Sequence, residues 1–361
     1  MSARVLPEVF LNRIETSVPP SDGHARFVEF LPNLIRDERM LKIVQRLASK
    51  CQIESRHSVL SPAAGNEQLD TEGYFAPGRF ATTAKRMRRY RAEALPLAKR
   101  AIDPLLEGID RDSISHVIVT SCTGFYAPGL DLEIQRAYGL RGDVERSIIG
   151  FMGCYAAING LRAAYHAVRS SPSSRVLLVN LELCSLHLQD TPDPEKILGS
   201  LQFADGCAAS LISAEPRGLR LERFRSETLA DRVELIEWNV GDEGFEMYLS
   251  PEVPKALAQA LPVVFPKVMS GEERAKMKLW AVHPGGRSII DAVQTALELT
   301  EAELAPSRKV LRENGNMSSA TIMFVLKAML DDHASQGLGT AMAFGPGLTV
   351  ETMSFEKSAT C

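Results

Sequence analysis

The sequence lacks the features that define several large classes of protein. It has no uninterrupted run of about 18 apolar residues, so we predict no transmembrane helix. Basic residues are not in excess, because 41 Lys and Arg stand against 45 Asp and Glu, a net charge of −4. Binding to nucleic acid through counterion release needs an excess of Lys and Arg. We therefore expect no nucleic-acid partner.

The cysteines are not arranged as a metal site or a redox pair. None belongs to a C-x-x-C motif, and none lies at zinc-ligand spacing from a histidine. The first ten residues, MSARVLPEVF, carry neither the apolar core nor the cleavage site of a secretory signal. We therefore expect reduced thiols, a cytoplasmic location and no metal ion. The six cysteines are Cys51, Cys122, Cys154, Cys184, Cys207 and Cys361.

Strand-like and helix-like segments alternate along the 361 residues. Short apolar runs predict buried strands at 116–122, 174–184, 207–213, 278–283 and 340–345. Longer amphipathic patterns between them predict helices at 85–106, 154–169, 254–269, 287–299 and 317–332. This alternation is typical of a layered α/β fold with helices on both sides of a sheet.

A weak internal repeat suggests two related halves. A strand ends at Cys122 and a helical pattern begins 32 residues later at Cys154; another strand ends at His283 and a helical pattern begins 33 residues later at Asn316. Chance similarity of two βα units is the alternative, since such units are common. The polar residue at both helix starts favours duplication. We predict an N-terminal half at 1–220, carrying the cysteine, and a C-terminal half at 221–361, carrying the histidine and asparagine.

Cys154 is the first candidate for chemistry, because it follows the sequence GFMG and opens a long helical pattern. Backbone N–H groups and the positive end of a helix dipole favour a thiolate, so we expect a lowered pKa for this cysteine. A buried structural cysteine is the simpler interpretation, and position alone favours it.

His283 and Asn316 make a catalytic interpretation of Cys154 stronger. His283 ends an apolar strand and enters a glycine turn, which places it at the sheet edge where the active sites of α/β proteins gather. Asn316 starts its own helix, where a simple N-cap is the alternative. A cysteine can carry an acyl group as a thioester, and we expect the histidine to stabilise its thiolate as an ion pair. His and Asn then donate hydrogen bonds to an enolate oxygen. A Cys–His–Asn protease uses the same residue types, but the repeat places His283 and Asn316 on paired units that face one centre.

Four blocks of the sequence resemble the type III polyketide synthases, the chalcone synthase-like enzymes. They are GFMGCYAAINGLRAAYHAV, WAVHPGG, ENGNMSSATIMFVL and FGPGLTVET, and they occur in the family's order over nearly the whole chain. The resemblance implies a thiolase-like αβαβα fold and a homodimer without metal or organic cofactor. It also implies loading of an acyl-CoA starter, decarboxylative extension with malonyl-CoA, and cyclisation.

The resemblance assigns roles to individual residues. Cys154 matches the acyl-accepting nucleophile, and His283 and Asn316 match the other two catalytic positions. Phe203 matches a gatekeeper phenylalanine, where an aromatic wall would help strip water from the malonyl carboxylate; plain core packing is the alternative. Met247 stands where the family has a second phenylalanine, and its flexible apolar side chain suits a fatty chain.

Further positions fall in segments that line the family's cavity, and they differ from the plant pattern. Plant enzymes usually have a threonine at the position of Cys122, and at the position of Ala127 a methionine that reaches into the partner's cavity. These differences favour a product other than a chalcone, and we expect an alkylpyrone or a resorcinol-like ring. The cavity residues implied in this way are Cys122, Ala127, Cys184 and His187.

Binding of CoA requires cations for its phosphates. Basic residues recur at steps of three or four residues over 36–50, and within this stripe Arg46 and Lys50 match the family's contacts to CoA phosphate. The stripe consists of Arg36, Arg39, Lys42, Arg46 and Lys50, and a solvated helix face is the alternative for some of these residues. The denser basic run at 85–91 matches no family contact, so we expect it to be a solvated face.

The sequence is also compatible with two other functions. A single-step β-ketoacyl synthase of the fatty-acid-initiating type shares the three catalytic residues, although HPGG and GPGLTVET favour the polyketide synthases. A non-catalytic acyl-CoA-binding relative would not need a nucleophile.

Overall fold

The computed structural model describes residues 6–65 and 68–358, and Cys361 lies outside this part of the chain. The helices are His24–Leu34 (α1), Glu38–Ala48 (α2), Thr83–Leu105 (α3), Leu130–Ala137 (α4), Ala156–Ser170 (α5), Pro194–Ser200 (α6), Val253–Val268 (α7), Gly271–Lys276 (α8), Arg287–Leu297 (α9), Glu301–Asn314 (α10) and Thr321–Asp331 (α11).

The strands are Val9–Ser17 (β1), Ser21–Asp22 (β2), His57–Ser58 (β3), Phe75–Ala76 (β4), Arg79–Phe80 (β5), His116–Ser121 (β6), Glu145–Gly150 (β7), Val176–Leu183 (β8), Asp205–Ser213 (β9), Leu219–Thr228 (β10), Ile236–Gly241 (β11), Gly244–Leu249 (β12), Met277–Val282 (β13), Gly337–Gly345 (β14) and Thr349–Lys357 (β15).

Nine of these strands form one mixed sheet in the order β13-β14-β15-β10-β1-β9-β8-β6-β7. The antiparallel pair β1–β10 lies at its centre. On one side β1, β9, β8 and β6 follow each other with antiparallel, antiparallel and parallel pairings. On the other side β10, β15, β14 and β13 repeat the same series of pairings. The predicted duplication is therefore visible as a repeated strand order, with β7 added at one edge. The division at residue 220 stays a prediction.

Helices α5 and α11 form the middle layer between the two halves of the twisted sheet. Both contact strands of both halves, and their apolar residues share one core with β1, β6, β8, β14 and β15. Helix α3 covers the outer face of the first half, and α7, α9 and α10 cover that of the second. The layers therefore follow the order αβαβα, as expected.

Local sequence explains why the elements nearest the centre are placed there. Strand β8 is buried along its whole length, because nearly every residue of VLLVNLEL is apolar and the sheet is covered on both faces. Helix α5 carries several alanines and Gly160, whose missing side chain lets Leu178 approach: a Cβ there would lie 2.7 Å from Leu178 Cδ1. Among the helices in the described part of the chain, none has the length and apolar character needed to cross a membrane.

The predicted strands and helices are all present, with ends shifted by a few residues. Within the nine-stranded sheet, β1, β7, β10 and β15 were not predicted. Strand β15 shows why: it reads TVETMSFEK, yet Glu351 is buried because Asn159 Nδ2 donates to its carboxylate at 3.0 Å and Arg162 forms an ion pair with it. A strand that buries paired polar residues has no continuous apolar run in its sequence, so the pattern used to predict strands does not find it.

Candidate active site

Cys154 lies in a 3-10 turn, Gly153–Tyr155, that precedes helix α5. Gly153 has a φ of +69°, and a Cβ at this position would lie 2.4 Å from Cδ of Pro346. A glycine is needed here both for the left-handed backbone and for the close approach of the loop after β14. The turn holds Cys154 half-buried, with its side chain lining a large internal cavity.

His283 follows β13 directly, and its backbone N–H donates to the carbonyl of Met342 on β14 at 2.8 Å. Its imidazole lines the same cavity and is only 1% exposed. Neither ring nitrogen has a hydrogen-bond partner among the described residues. Buried polar atoms are normally paired, so an unpaired imidazole facing a cavity is available to a ligand.

The amide of Asn316 is oriented by its neighbours. Its Oδ1 accepts hydrogen bonds from the backbone N–H of Ser318 at 2.9 Å and from Thr321 Oγ1 at 3.3 Å. Its Nδ2 donates to the carbonyl of Gly285 at 3.2 Å, and the side chain also hydrogen-bonds Cys154. The amide is therefore held in a fixed orientation beside Cys154, and Asn316 is not a simple helix cap.

The structure reverses the expectation for the pKa of Cys154. Burial raises the pKa of its thiol to about 11, and the hydrogen bond from Ser318 does not offset this rise. The lowered pKa was expected from a helix N-terminus, but the sulfur lies in the turn before α5 and inside protein walls. Burial likewise lowers the pKa of His283 to about 3. Near neutral pH the thiol and the imidazole are thus both uncharged.

A buried carboxylate, Glu182, lies close enough to Cys154 to raise the pKa of its thiol, and sequence reasoning missed it. It accepts hydrogen bonds from the N–H of Cys122 at 3.0 Å, from Thr123 Oγ1 at 2.8 Å and from Ser319 Oγ at 2.5 Å. Burial raises its pKa. Its position as the one acidic residue in the apolar strand β8 could have identified it.

Most of the predicted cavity residues line the cavity that contains the three catalytic candidates. Phe203 lies beside Asn316, because the two residues form a parallel β-bridge. Ala127 is exposed and does not line the cavity. The predicted residues that do line it are Phe203, Cys122, Cys184, His187 and Met247.

The side chain of His187 lines the cavity, and its ring is held in one orientation by its neighbours. Its Nε2 hydrogen-bonds the carbonyl of Thr123 at 2.7 Å, its Nδ1 accepts from the N–H of Phe245 at 2.9 Å, and its ring stacks on that of Phe245 at 4.4 Å. Burial lowers its pKa to about 3, so the ring is neutral. Trp238, which sequence reasoning missed, packs edge-on against His187 and lies opposite Met247 on the hairpin β11–β12.

Arg46 and Lys50 lie outside the cavity wall. Both are exposed, and neither has an acidic partner within 4.0 Å in the described ranges. Helix α2, which carries Arg46, packs on α6, and α6 lines the cavity. Their predicted role in binding CoA stays a prediction.

The basic run at 85–91 is a solvated face only in part, since Arg88 and Arg91 are exposed as expected but other members of the run are not. Arg86 is fully buried and donates to the carbonyls of Ala81, Leu186 and Leu188 at 2.7 to 2.9 Å. Arg89 forms ion pairs with Glu72 and Glu93. The sequence pattern could not distinguish Arg86 and Arg89 from solvated basic residues, because their partners come from distant segments.

Fold and site together define a class of enzyme: a thiolase-like condensing enzyme in which a cysteine, a histidine and an asparagine line one largely apolar cavity. The chain matches the family models "Chalcone and stilbene synthases, N-terminal domain" over residues 28–216 and "Chalcone and stilbene synthases, C-terminal domain" over residues 222–358. It belongs to this family and is a type III polyketide synthase, an acyltransferase that extends chains by decarboxylative Claisen condensation.

Curated relatives and solved structures agree with this assignment. The chain is 31% identical over 353 residues to "Alpha-pyrone synthesis polyketide synthase-like Pks18" of Mycobacterium tuberculosis, covering 94% of this chain and 87% of the relative. It is 31% identical over 343 residues to "Type III polyketide synthase A" of Arabidopsis thaliana, covering 89% and 85%. The crystal structure of 1,3,6,8-tetrahydroxynaphthalene synthase from Streptomyces coelicolor superposes with a TM-score of 0.87 at 26% identity, covering 98% of this chain and all of that one.

Proposed function

We propose that the enzyme loads an acyl-CoA starter on Cys154, extends it with malonyl-CoA and cyclises the product to an alkylpyrone or a resorcinol-like ring. The observation that supports this most directly is that Cys154, Asn316 and the unpaired ring of His283 line one cavity. No metal or organic cofactor takes part in this scheme, since each step uses a thiol, N–H donors and thioesters.

In the loading step the thiol must lose its proton while it attacks the starter thioester. His283 takes this proton, and the sulfur of Cys154 bonds to the acyl carbon. The bond to the CoA sulfur then breaks, and the CoA thiolate receives a proton from the imidazolium. Because both groups are neutral at rest, the transient charges arise together and offset each other.

In the extension step malonyl-CoA loses CO₂, and the electrons of the broken C–C bond form an enolate. N–H donors at His283 and Asn316 hydrogen-bond the enolate oxygen, and neutral donors held in place suit this task in a water-poor chamber. The enolate carbon then bonds to the acyl carbon on Cys154, the bond from that carbon to sulfur breaks, and the Cys154 thiolate takes up a proton from solvent. Phe203, beside Asn316, keeps water from the malonyl carboxylate.

The walls of the chamber favour an aliphatic starter. The hairpin β11–β12 presents Ile236 and Trp238 on one strand and Met247 and Leu249 on the other, and all four line the cavity. Such a wall offers apolar contact along a chain and few hydrogen-bond partners for an aromatic hydroxyl. A relative whose name describes α-pyrone synthesis supports the same product class.

Arg46 and Lys50 supply the phosphate contacts of CoA in this proposal. Both are exposed cations without an acidic partner in the described residues, and α2 lies against the cavity-lining helix α6. Phosphates attract such cations, although the free energy of each exposed contact is small.

We also propose a homodimer that pairs through the edge of the sheet at β7. This strand has no neighbour on its outer side among the described strands, and its residues are largely exposed. Ile148 is 45% exposed and nearby Phe125 is 41% exposed. An unprotected edge with exposed apolar side chains favours pairing with a second copy. Sedimentation of the purified enzyme at twice the mass of 39.6 kDa checks this.

The test of the function is an incubation of the purified enzyme with malonyl-CoA and short, aromatic and long saturated acyl-CoA starters. We expect CO₂ release and pyrone products with the long starters, identified by mass spectrometry. Products of one condensation only would identify a single-step ketosynthase. Unchanged malonyl-CoA across all starters would overturn the proposal.

A further inference from the structure

We propose that Arg56 is a positioning residue for decarboxylation, because it fixes the segment that carries Phe203 and aligns Asn316. This inference rests on the proposed function of these two residues. Arg56 follows α2, far in sequence from either, and is 8% exposed.

The guanidinium of Arg56 binds the segment between α6 and β9. Its Nη1 donates to the carbonyls of Ser200 and Phe203, both at 2.7 Å. Its Nε donates to Nδ1 of His24 at 3.0 Å, and the group stacks over the ring of Phe27 at 5.0 Å. A planar guanidinium can bridge two carbonyls with one nitrogen while a third bond sets its plane. The Phe203 backbone is thereby fixed by a side chain from a distant part of the chain.

The same segment sets the position of Asn316. The N–H of Asn316 donates to the carbonyl of Gln202 at 2.7 Å, and the carbonyl of Asn316 accepts from the N–H of Ala204 at 2.9 Å. Gly315, with a φ of +69°, has no room for a side chain, since a Cβ there would lie 2.9 Å from Cγ of Arg56. Arg56, the 200–204 segment and the Gly315–Asn316 turn are therefore packed as one unit.

The charge of Arg56 is held without an ion pair within 4.0 Å in the described part of the chain. Burial lowers its pKa to about 10, while Asp22 and Asp205 act against this fall, so the group stays charged near neutral pH. Burial also lowers the pKa of His24 to about 4, which keeps Nδ1 free to accept the bond. Loss of the guanidinium would leave the carbonyl of Phe203 without this donor.

A purely structural role and a positioning role differ in their effect on the two half-reactions. Loading needs Cys154, whose turn Arg56 does not contact, whereas decarboxylation needs Phe203 and Asn316. A displacement of about 1 Å in an aligned group can lower a rate about 100-fold. Loss of Arg56 should therefore slow CO₂ release and leave loading intact.

The experiment compares Arg56→Met and Arg56→Lys with the wild type in two assays. Acyl transfer to Cys154 is followed by intact-protein mass spectrometry, and CO₂ release is followed with malonyl-CoA alone. For Arg56→Met we expect loading near the wild-type rate and CO₂ release at least about tenfold slower. Arg56→Lys keeps the charge and should recover part of the rate. Arg13→Met is the matched control, since Arg13 also binds two backbone carbonyls, those of Pro104 and Glu107, away from the cavity.

Equal losses in both assays would show that Arg56 acts only on overall structure, and unchanged CO₂ release would also overturn the proposal. If Arg56→Met does not fold, His24→Leu removes only the acceptor of Nε, and it should slow CO₂ release alone by a smaller factor. A wild-type enzyme that neither loads acyl groups nor releases CO₂ refutes the proposed function instead, so the two failures are distinguishable.

Discussion

The substitution Asn316→Ala tests the enolate site directly. It removes the Nδ2 donor and the Oδ1 acceptor together. Loss of one such donor lowers turnover roughly 100- to 1000-fold, so we expect CO₂ release from malonyl-CoA to fall by this factor. Loading of Cys154 from an acyl-CoA should change far less, because the nucleophile and His283 remain.

The effect of this substitution on stability can be worked out from its hydrogen bonds. Two donors bond to Oδ1 of Asn316, but Thr321 Oγ1 also donates to the carbonyl of Ser318 at 3.0 Å. The N–H of Ser318 is left unpaired, which costs about 1–3 kcal/mol, and the half-buried carbonyl of Gly285 also loses the donor Nδ2. The variant should therefore fold, with a lowered melting temperature.

The matched control for this prediction is Asn314→Ala, two residues earlier. Asn314 donates only to the carbonyl of Val310 in its own helix, at 3.3 Å, and it does not line the cavity. This variant should release CO₂ like the wild type. CO₂ release by Asn316→Ala within about threefold of the wild type would refute the donor role, since a true donor contributes far more.

The remaining predictions concern charge. Because burial raises the pKa of Cys154 to about 11, its alkylation by iodoacetamide should rise about tenfold per pH unit from pH 7 to 9; a plateau near pH 7 would indicate a resting ion pair. Glu182→Leu removes the acceptor of the Cys122 N–H and of the Thr123 and Ser319 hydroxyls, so it should lower the free energy of unfolding by at least about 1–3 kcal/mol. Glu182→Gln should lower it less, and urea denaturation measures both. Arg46→Ala and Lys50→Ala should each raise the KM for malonyl-CoA about two- to fivefold, as expected of an exposed contact; an equal rise in Arg36→Ala would argue against specific contacts.

The sequence allowed the α/β layering and the meeting of Cys154, His283 and Asn316 to be predicted. Each of these residues follows a strand or begins a helix, and chain direction brings such positions to one edge of a sheet. The spacing from Cys122 to Cys154 is 32 residues and that from His283 to Asn316 is 33, and this near-equality relates the two halves of the chain. These are properties of local sequence and of chain topology, which a single sequence carries.

Other parts of the site could not be predicted, because they depend on what distant segments place around a residue. The pKa of Cys154 was expected to fall, yet the walls of the chamber raise it. Arg86 was expected to be solvated, yet loops around residues 81 and 186 bury it. Burial is set by tertiary packing, so a charged residue in a basic run carries no local sign of it.

The uncharged resting state of the site has a consequence for its reactivity. Burial opposes a charge on Cys154 and on His283 separately, but a thiolate and an imidazolium formed together in one cavity are neutral as a pair. In the proposed mechanism, proton transfer therefore accompanies the attack of the sulfur on a thioester carbonyl. We expect the neutral thiol to react slowly with water-borne electrophiles at neutral pH. The buried carboxylate of Glu182 acts in the same direction, because its negative charge further disfavours a thiolate before the substrate arrives.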